Sequence, residues 1–114
     1  MGVSIENKET IFRAEHLKNT NAAIKFISAE PLLESIGDID LNGIDWLIVG
    51  GESGPCCRPL SEEWVVELQN LARKTNTAFF FKQWGGINKK KNGSKLRGKY
   101  YKEYPKVKLW IEVT

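Results

Sequence analysis

The sequence predicts an α/β fold built on about four parallel strands with crossover helices. Three observations carry this: four short β-branched or aromatic runs recur along the first 84 positions, stretches with helical apolar spacing separate them, and each run leaves through a polar step. The chain has 114 residues, enough for one core and too few for two. Residues 1–85 read as the α/β core, and residues 86–114 as a basic C-terminal segment of the same domain.

The first run is Gly2-Val3-Ser4-Ile5. Ile11, Phe12, Ala14 and Leu17 then place apolar side chains at helical spacing, and the Asn19-Thr20-Asn21 step stops that helix. The second run is Ile24-Lys25-Phe26-Ile27-Ser28 and the third Asp45-Trp46-Leu47-Ile48-Val49. Between them, Pro31, Gly37 and Gly43 leave room only for a short helical piece around 32–36. Ser61 followed by Glu62 and Glu63 supplies an N-cap serine and acids for the first turn. Val65, Leu68, Leu71 and Ala72 continue the apolar stripe, and Arg73 and Lys74 suit the C-terminal end of the dipole, so a helix is expected over 62–74. The fourth run is Ala78-Phe79-Phe80-Phe81. Alternation of this kind signals parallel βαβ units with right-handed connections and both sheet faces covered.

The polar steps bear on function. The runs exit through Glu6, Glu30, Glu52 and Lys82-Gln83, so a carboxylate or its amide follows each of four strands. Parallel strands aim their C-terminal ends at one edge, where ligands bind in open α/β sheets and barrels. Glu6, Glu30 and Glu52 are therefore the candidates for general acid or base chemistry, and Gly50, Gly51, Glu52, Ser53, Lys82 and Gln83 for ligand binding. The competing explanation is that strand ends are polar because they reach water, with Lys82 pairing an acid. Gly50-Gly51-Glu52-Ser53-Gly54 lacks the spacings of a dinucleotide fingerprint or a phosphate loop, which argues against nucleotide hydrolysis. Arg58, ahead of the helix N-terminus, is expected either to hold an anion or, by preference, to pair with a local acid.

Charge is unevenly distributed. Up to Leu60 there are 5 Lys and Arg against 9 Asp and Glu, and from Ser61 onward 12 against 5. Lys89, Lys90, Lys91 and Arg97 lead the basic run, with tyrosines interleaved at 100, 101 and 104, a pattern suited to nucleic acid or to a solvated loop. His16 is the only histidine and Cys56-Cys57 the only cysteines, so no metal site is predicted. No apolar run approaches the roughly 18 residues of a membrane span, and a cytoplasmic protein without membrane partners is expected.

The segments Gly2-Val3-Ser4-Ile5-Glu6-Asn7, Phe26-Ile27-Ser28-Ala29-Glu30-Pro31-Leu32-Leu33, Asp45 through Pro55, and Phe79-Phe80-Phe81-Lys82-Gln83-Trp84-Gly85 together resemble a family without an assigned reaction. That family occurs in phages, prophages and bacteria, and looks like a relative of the radical S-adenosylmethionine barrel enzymes. Asn92 through Tyr101, followed by Glu103-Tyr104-Pro105, is similar to its closing segment. The resemblance implies an iron–sulfur cluster and S-adenosylmethionine in full-length relatives, held by an N-terminal region with closely spaced cysteines. This chain matches only the C-terminal half of such a (β/α) barrel, which would run to roughly 200 residues or more. The expectations that follow are a substrate-facing half with no cofactor and no radical chemistry of its own, partnered by the missing N-terminal half, another protein or a second copy. The alternatives are a nucleic-acid-binding module using the basic segment, or an interaction subunit pairing through an exposed sheet edge.

Overall fold

The computed structural model describes residues 1–86 and 92–105. Its four strands, β1 (Gly2–Ser4), β2 (Phe26–Ala29), β3 (Trp46–Gly50) and β4 (Ala78–Gln83), form one sheet in the order β1-β2-β3-β4, every neighbouring pair parallel. The predicted α/β class with four parallel strands is therefore observed. Helix α1 (Phe12–Lys18) links β1 to β2, and α2 (Glu62–Lys74) links β3 to β4 over the span read from its apolar stripe. Ser61 holds the N-cap position with extended backbone, but its hydroxyl makes no capping hydrogen bond.

Period-two alternation sorts the strand residues onto two faces. Ile27, Ala29, Leu47, Val49, Phe79 and Phe81 are fully buried and share a core with Ala14 and Leu17 of α1 and Val65, Leu68 and Ala72 of α2. Both helices thus pack on the same face. The opposite face carries Phe26, Ser28, Trp46, Ile48 and Phe80, all half-buried, and no helix among the described residues lies over it. The expectation that both faces are covered is corrected for the described residues.

The crossover from β2 to β3 differs from the expected helical piece around 32–36: no helix forms there. After the cis Glu30–Pro31 peptide, the Leu32 N–H donates to the Gly50 carbonyl (2.9 Å) and the Leu33 N–H to the Glu6 carbonyl (2.9 Å). These bonds tie the crossover to the ends of β3 and β1 rather than to a helical turn of its own. Leu32, Ile36, Ile39, Leu41 and Ile44 are still buried in the common core, so the segment packs as a loop with a hydrophobic underside.

One pairing lies outside the parallel set. Residues 101–103 run antiparallel along the free edge of β4, with Phe81 N–H donating to the Tyr101 carbonyl (2.7 Å) and Glu103 N–H to the Phe79 carbonyl (3.2 Å). Arg73 of α2 forks onto the Glu103 carboxylate, which also accepts the Phe79 N–H at 3.0 Å. That fork holds the Glu103 carboxyl below its ordinary value, and the edge of β4 is covered as open edges generally must be. On β1, the described residues supply no partner strand at the outer edge.

Candidate functional site

At the C-terminal ends of β2, β3 and β4 the structure brings together Glu30, Lys82 and Gln83. The ladder between β3 and β4 slips after Val49: Val49 stands opposite Phe81, but Gly50 stands opposite Gln83, leaving Lys82 as the extra residue of a bulge. In a regular strand, successive side chains point to opposite faces. The bulge lets two successive ones reach the same carboxylate. Lys82 Nζ donates to Glu30 Oε1 at 3.0 Å, and Gln83 Nε2 to Glu30 Oε2 at 3.2 Å and to the Gly51 carbonyl at 3.2 Å.

Gly50 makes the crossing feasible. Glu30 reaches over β3 to meet β4, and a Cβ on Gly50 would lie 2.5 Å from Glu30 Oε2. Gly51 has a different constraint, since a Cβ there would run into the Trp84 carbonyl oxygen. The two glycines thus serve two contacts: one admits a side chain and the other a backbone.

Below the polar cluster, toward the N-terminal ends of the strands, lies a groove of about 280 Å³ lined by Phe26, Ser28, Trp46, Ile48, Phe80 and Tyr104, with Glu30 and Lys82 at its upper rim. Its floor is an aromatic row across three strands. Trp46 lies 5.9 Å from Phe26 and 6.0 Å from Phe80, and Tyr104 covers both Trp46 (5.4 Å) and Phe80 (5.6 Å). The indole Nε1 of Trp46 donates to the Glu103 carbonyl at 2.9 Å, which fixes where Tyr104 enters. Reading the residues as uniformly apolar runs missed this row. The signal was the alternation Phe26-x-Ser28-x-Glu30, Trp46-x-Ile48 and Phe80-x-Lys82, which separates the groove face from the core face.

The other predicted carboxylates stand apart from this cluster. Glu52 grips Arg58 through both oxygens, Nε at 3.0 Å and Nη2 at 2.6 Å, and also accepts the Arg58 backbone N–H at 2.9 Å. This fork lowers the Glu52 carboxyl to about 2 and closes the loop that carries Ser53, Cys56 and Cys57. Arg58 therefore takes the local-acid role. Glu6 lies 3.8 Å from Arg13, whose Nη1 also donates to the Ser4 carbonyl. Ser53 bridges in parallel fashion to Gly86 rather than approaching Glu30.

In the basic segment, Lys89, Lys90 and Lys91 lie outside the described residues. Arg97 is 3.6 Å from Glu62, Lys95 sits over the Tyr100 ring, and Lys102 donates to the carbonyls of Phe81 and Lys82 while lying over the Phe80 ring. His16 is exposed at the side of α1 against Phe12. The described residues do not fit an iron–sulfur cluster. Their two thiols are adjacent on one loop, and no group of three or more Cys, His, Asp or Glu is placed to share an ion. Among the described residues no helix is long and apolar enough to cross a membrane.

A family model described as "Protein of unknown function (DUF5131)" matches residues 1–105. The chain belongs to the DUF5131 family. The DUF5131 match takes in the whole sheet, the Glu30–Lys82–Gln83 cluster and the Tyr104 lid of the groove, and stops at Pro105. No curated protein and no solved structure matches the chain.

Proposed function

We propose that this chain is the C-terminal, substrate-facing half of a phage- or prophage-type barrel protein resembling the radical S-adenosylmethionine enzymes, acting with a complementary N-terminal half that supplies the cluster. The observation that carries the reading is a sheet that, among the described residues, has helices on one face only. Strand order runs 1-2-3-4 without reversal and both helices share one face, whereas a doubly wound sheet reverses its order and covers both. A barrel has helices outside and side chains inside. Phe26, Trp46, Ile48 and Phe80 then correspond to the interior, and the outer edge of β1 is where further parallel strands join.

In that setting the Glu30–Lys82–Gln83 cluster sits at the mouth, where barrel enzymes bind substrate. Lys82 gives one of its three ammonium donors to Glu30, leaving the others for a carbonyl, carboxylate or phosphate oxygen of a ligand. The aromatic row beneath supports an apolar or planar body. This chain's role is to bind and orient; no radical step is assigned to its residues. Co-expression with the cluster-bearing N-terminal portion that this reading expects in longer relatives tests it. A stoichiometric complex through a two-step purification is expected, and recovery of the two pieces separately would refute it.

A further inference from the structure

The groove and its rim favour one charge type in a ligand. Strand register lays its side chains in rows: Phe26 beside Trp46 at the lower end, Ser28 beside Ile48 and Phe80 in the middle, and Glu30 with Lys82 at the upper end. Ser28 is the smallest of these side chains and leaves room in the middle row, between the Phe26–Trp46 pair below and the charged rim above. A volume of about 280 Å³ lies at the small end of ligand cavities, room for one or two fused rings rather than for a dinucleotide.

The upper end holds two ammonium groups against one carboxylate. Lys102 stands opposite Phe80 in an antiparallel bridge, so both side chains fall on the groove face, and its Nζ sits 4.8 Å from the Phe80 ring centroid. Glu30 is already bonded through both oxygens, Oε1 to Lys82 Nζ and Oε2 to Gln83 Nε2. Lys82 spends one ammonium donor on that contact, and Lys102 donates to the carbonyls of Phe81 and Lys82. A cationic ligand on the aromatic row would therefore meet the Lys102 ammonium already over Phe80, whereas an anionic one would meet an excess of positive charge beside an apolar floor.

We propose that the groove binds a planar aromatic carboxylate, its rings in the middle row against Ile48, Trp46 and Phe80 and its carboxylate on Lys82, with Lys102 adding to the positive potential at that end. Binding by the free chain stands on this geometry alone. The role of such an anion as substrate of a completed barrel rests on the barrel-half reading.

The test titrates the full chain alone, at low ionic strength, with naphthalenes of matched size and different charge: 2-naphthoate, 2-naphthalenemethanol and 2-naphthylmethylammonium. Proton–nitrogen NMR reads the outcome. The anion is expected to bind tightest and the cation weakest, with shifts centred on the Ile48 and Phe80 amides and the Trp46 indole. Lys82→Gln should weaken naphthoate about tenfold, the loss of one charged hydrogen bond, and leave the alcohol nearly unchanged, which also shows that the groove is intact. Lys74→Gln removes the same charge from the exposed end of α2, on the other face, and should change neither. Ser28→Leu should weaken all the ligands by filling the middle row. If Lys82→Gln fails to fold, Lys102→Gln takes its place, with a several-fold loss expected for naphthoate alone. Naphthoate binding no tighter than the alcohol, tightest binding of the cation, equal effects of Lys82→Gln and Lys74→Gln, or no naphthoate binding up to millimolar concentration would each overturn the proposal. Failure of the complementary half to bind would leave this result standing, since the titration contains only this chain, and a groove that rejects naphthoate would leave the barrel-half reading standing.

Discussion

Glu30 and Gln83 meet across β3, carboxylate Oε2 to amide Nε2 at 3.2 Å, although the strand between them would block the contact if Gly50 carried a side chain. Three local features make this pair: an exit carboxylate, a glycine on the middle strand and a bulge on the third. None of them is sufficient alone.

Gly50→Ala isolates the middle feature. The new Cβ would contend with the Glu30 carboxylate, the movable end of a side chain, so the fold should survive with a loss of about 1–3 kcal/mol. Gly51→Ala, which drives a Cβ into the Trp84 carbonyl, should cost more because backbone has to yield. Urea denaturation of the two variants checks the order. In the first, the Gln83 side-chain amide resonances should also shift as their Glu30 partner moves.

Much of this fold was legible because α2 and the four runs each carried a consistent local signal. The stripe Val65, Leu68, Ala72 and the flanking charges agree on one helix. The segment after Pro31 was not legible, because Leu32 and Leu33 give their N–H groups to strand ends far away in sequence. Glu30, Lys82 and Gln83 were readable as strand exits. Their convergence depends on a one-residue ladder slip at Lys82, which no periodicity in the run reveals. The parting of Glu52 from that cluster follows from Arg58, six residues on, for which the sequence favoured pairing with a local acid without saying which.

Titration of Glu52 provides a second check. Its carboxyl lies near 2 in the folded chain against an ordinary 4.5, the larger cause being the Arg58 side-chain hydrogen bonds. A lowered folded value means that the stabilisation is complete above about 4.5 and disappears as pH falls through about 2. Carbon-detected NMR should place the wild-type midpoint near 2 and show it rising in Arg58→Ala toward, but not fully to, the ordinary 4.5, because the backbone N–H of residue 58 still donates to Glu52. An unchanged midpoint in the variant would remove the fork from the account.

The two faces of β4 should respond differently to truncation. Phe79 is fully buried between sheet and helices, and Phe79→Ala should cost about 3–5 kcal/mol. Phe80 lies half-buried on the groove floor, and Phe80→Ala should cost distinctly less in the same denaturation series. Equal losses would mean that the groove face is as deeply covered as the core face.

Arg73 and Glu103 fasten residues 101–103 to the β4 edge, so Arg73→Ala should loosen that edge without unfolding α2. Faster hydrogen exchange at the Phe81 and Glu103 amides, whose acceptors are Tyr101 and Phe79, is the expected signature. Tryptophan fluorescence should change as well, because Trp46 bonds to the Glu103 carbonyl.

The central claim is that the open sheet face is the surface on which a complementary barrel half closes, and a pull-down with face-specific variants tests it most directly. The barrel reading expects longer relatives to carry an N-terminal portion with the cluster cysteines, and tagged chain is co-expressed with such a portion. Ile48→Asp on the groove face should reduce recovery of the complex at least tenfold, while Glu63→Lys on the exposed side of α2 should leave it unchanged. A complex that forms equally well with Ile48→Asp, or no complex with the wild-type chain, would contradict the account.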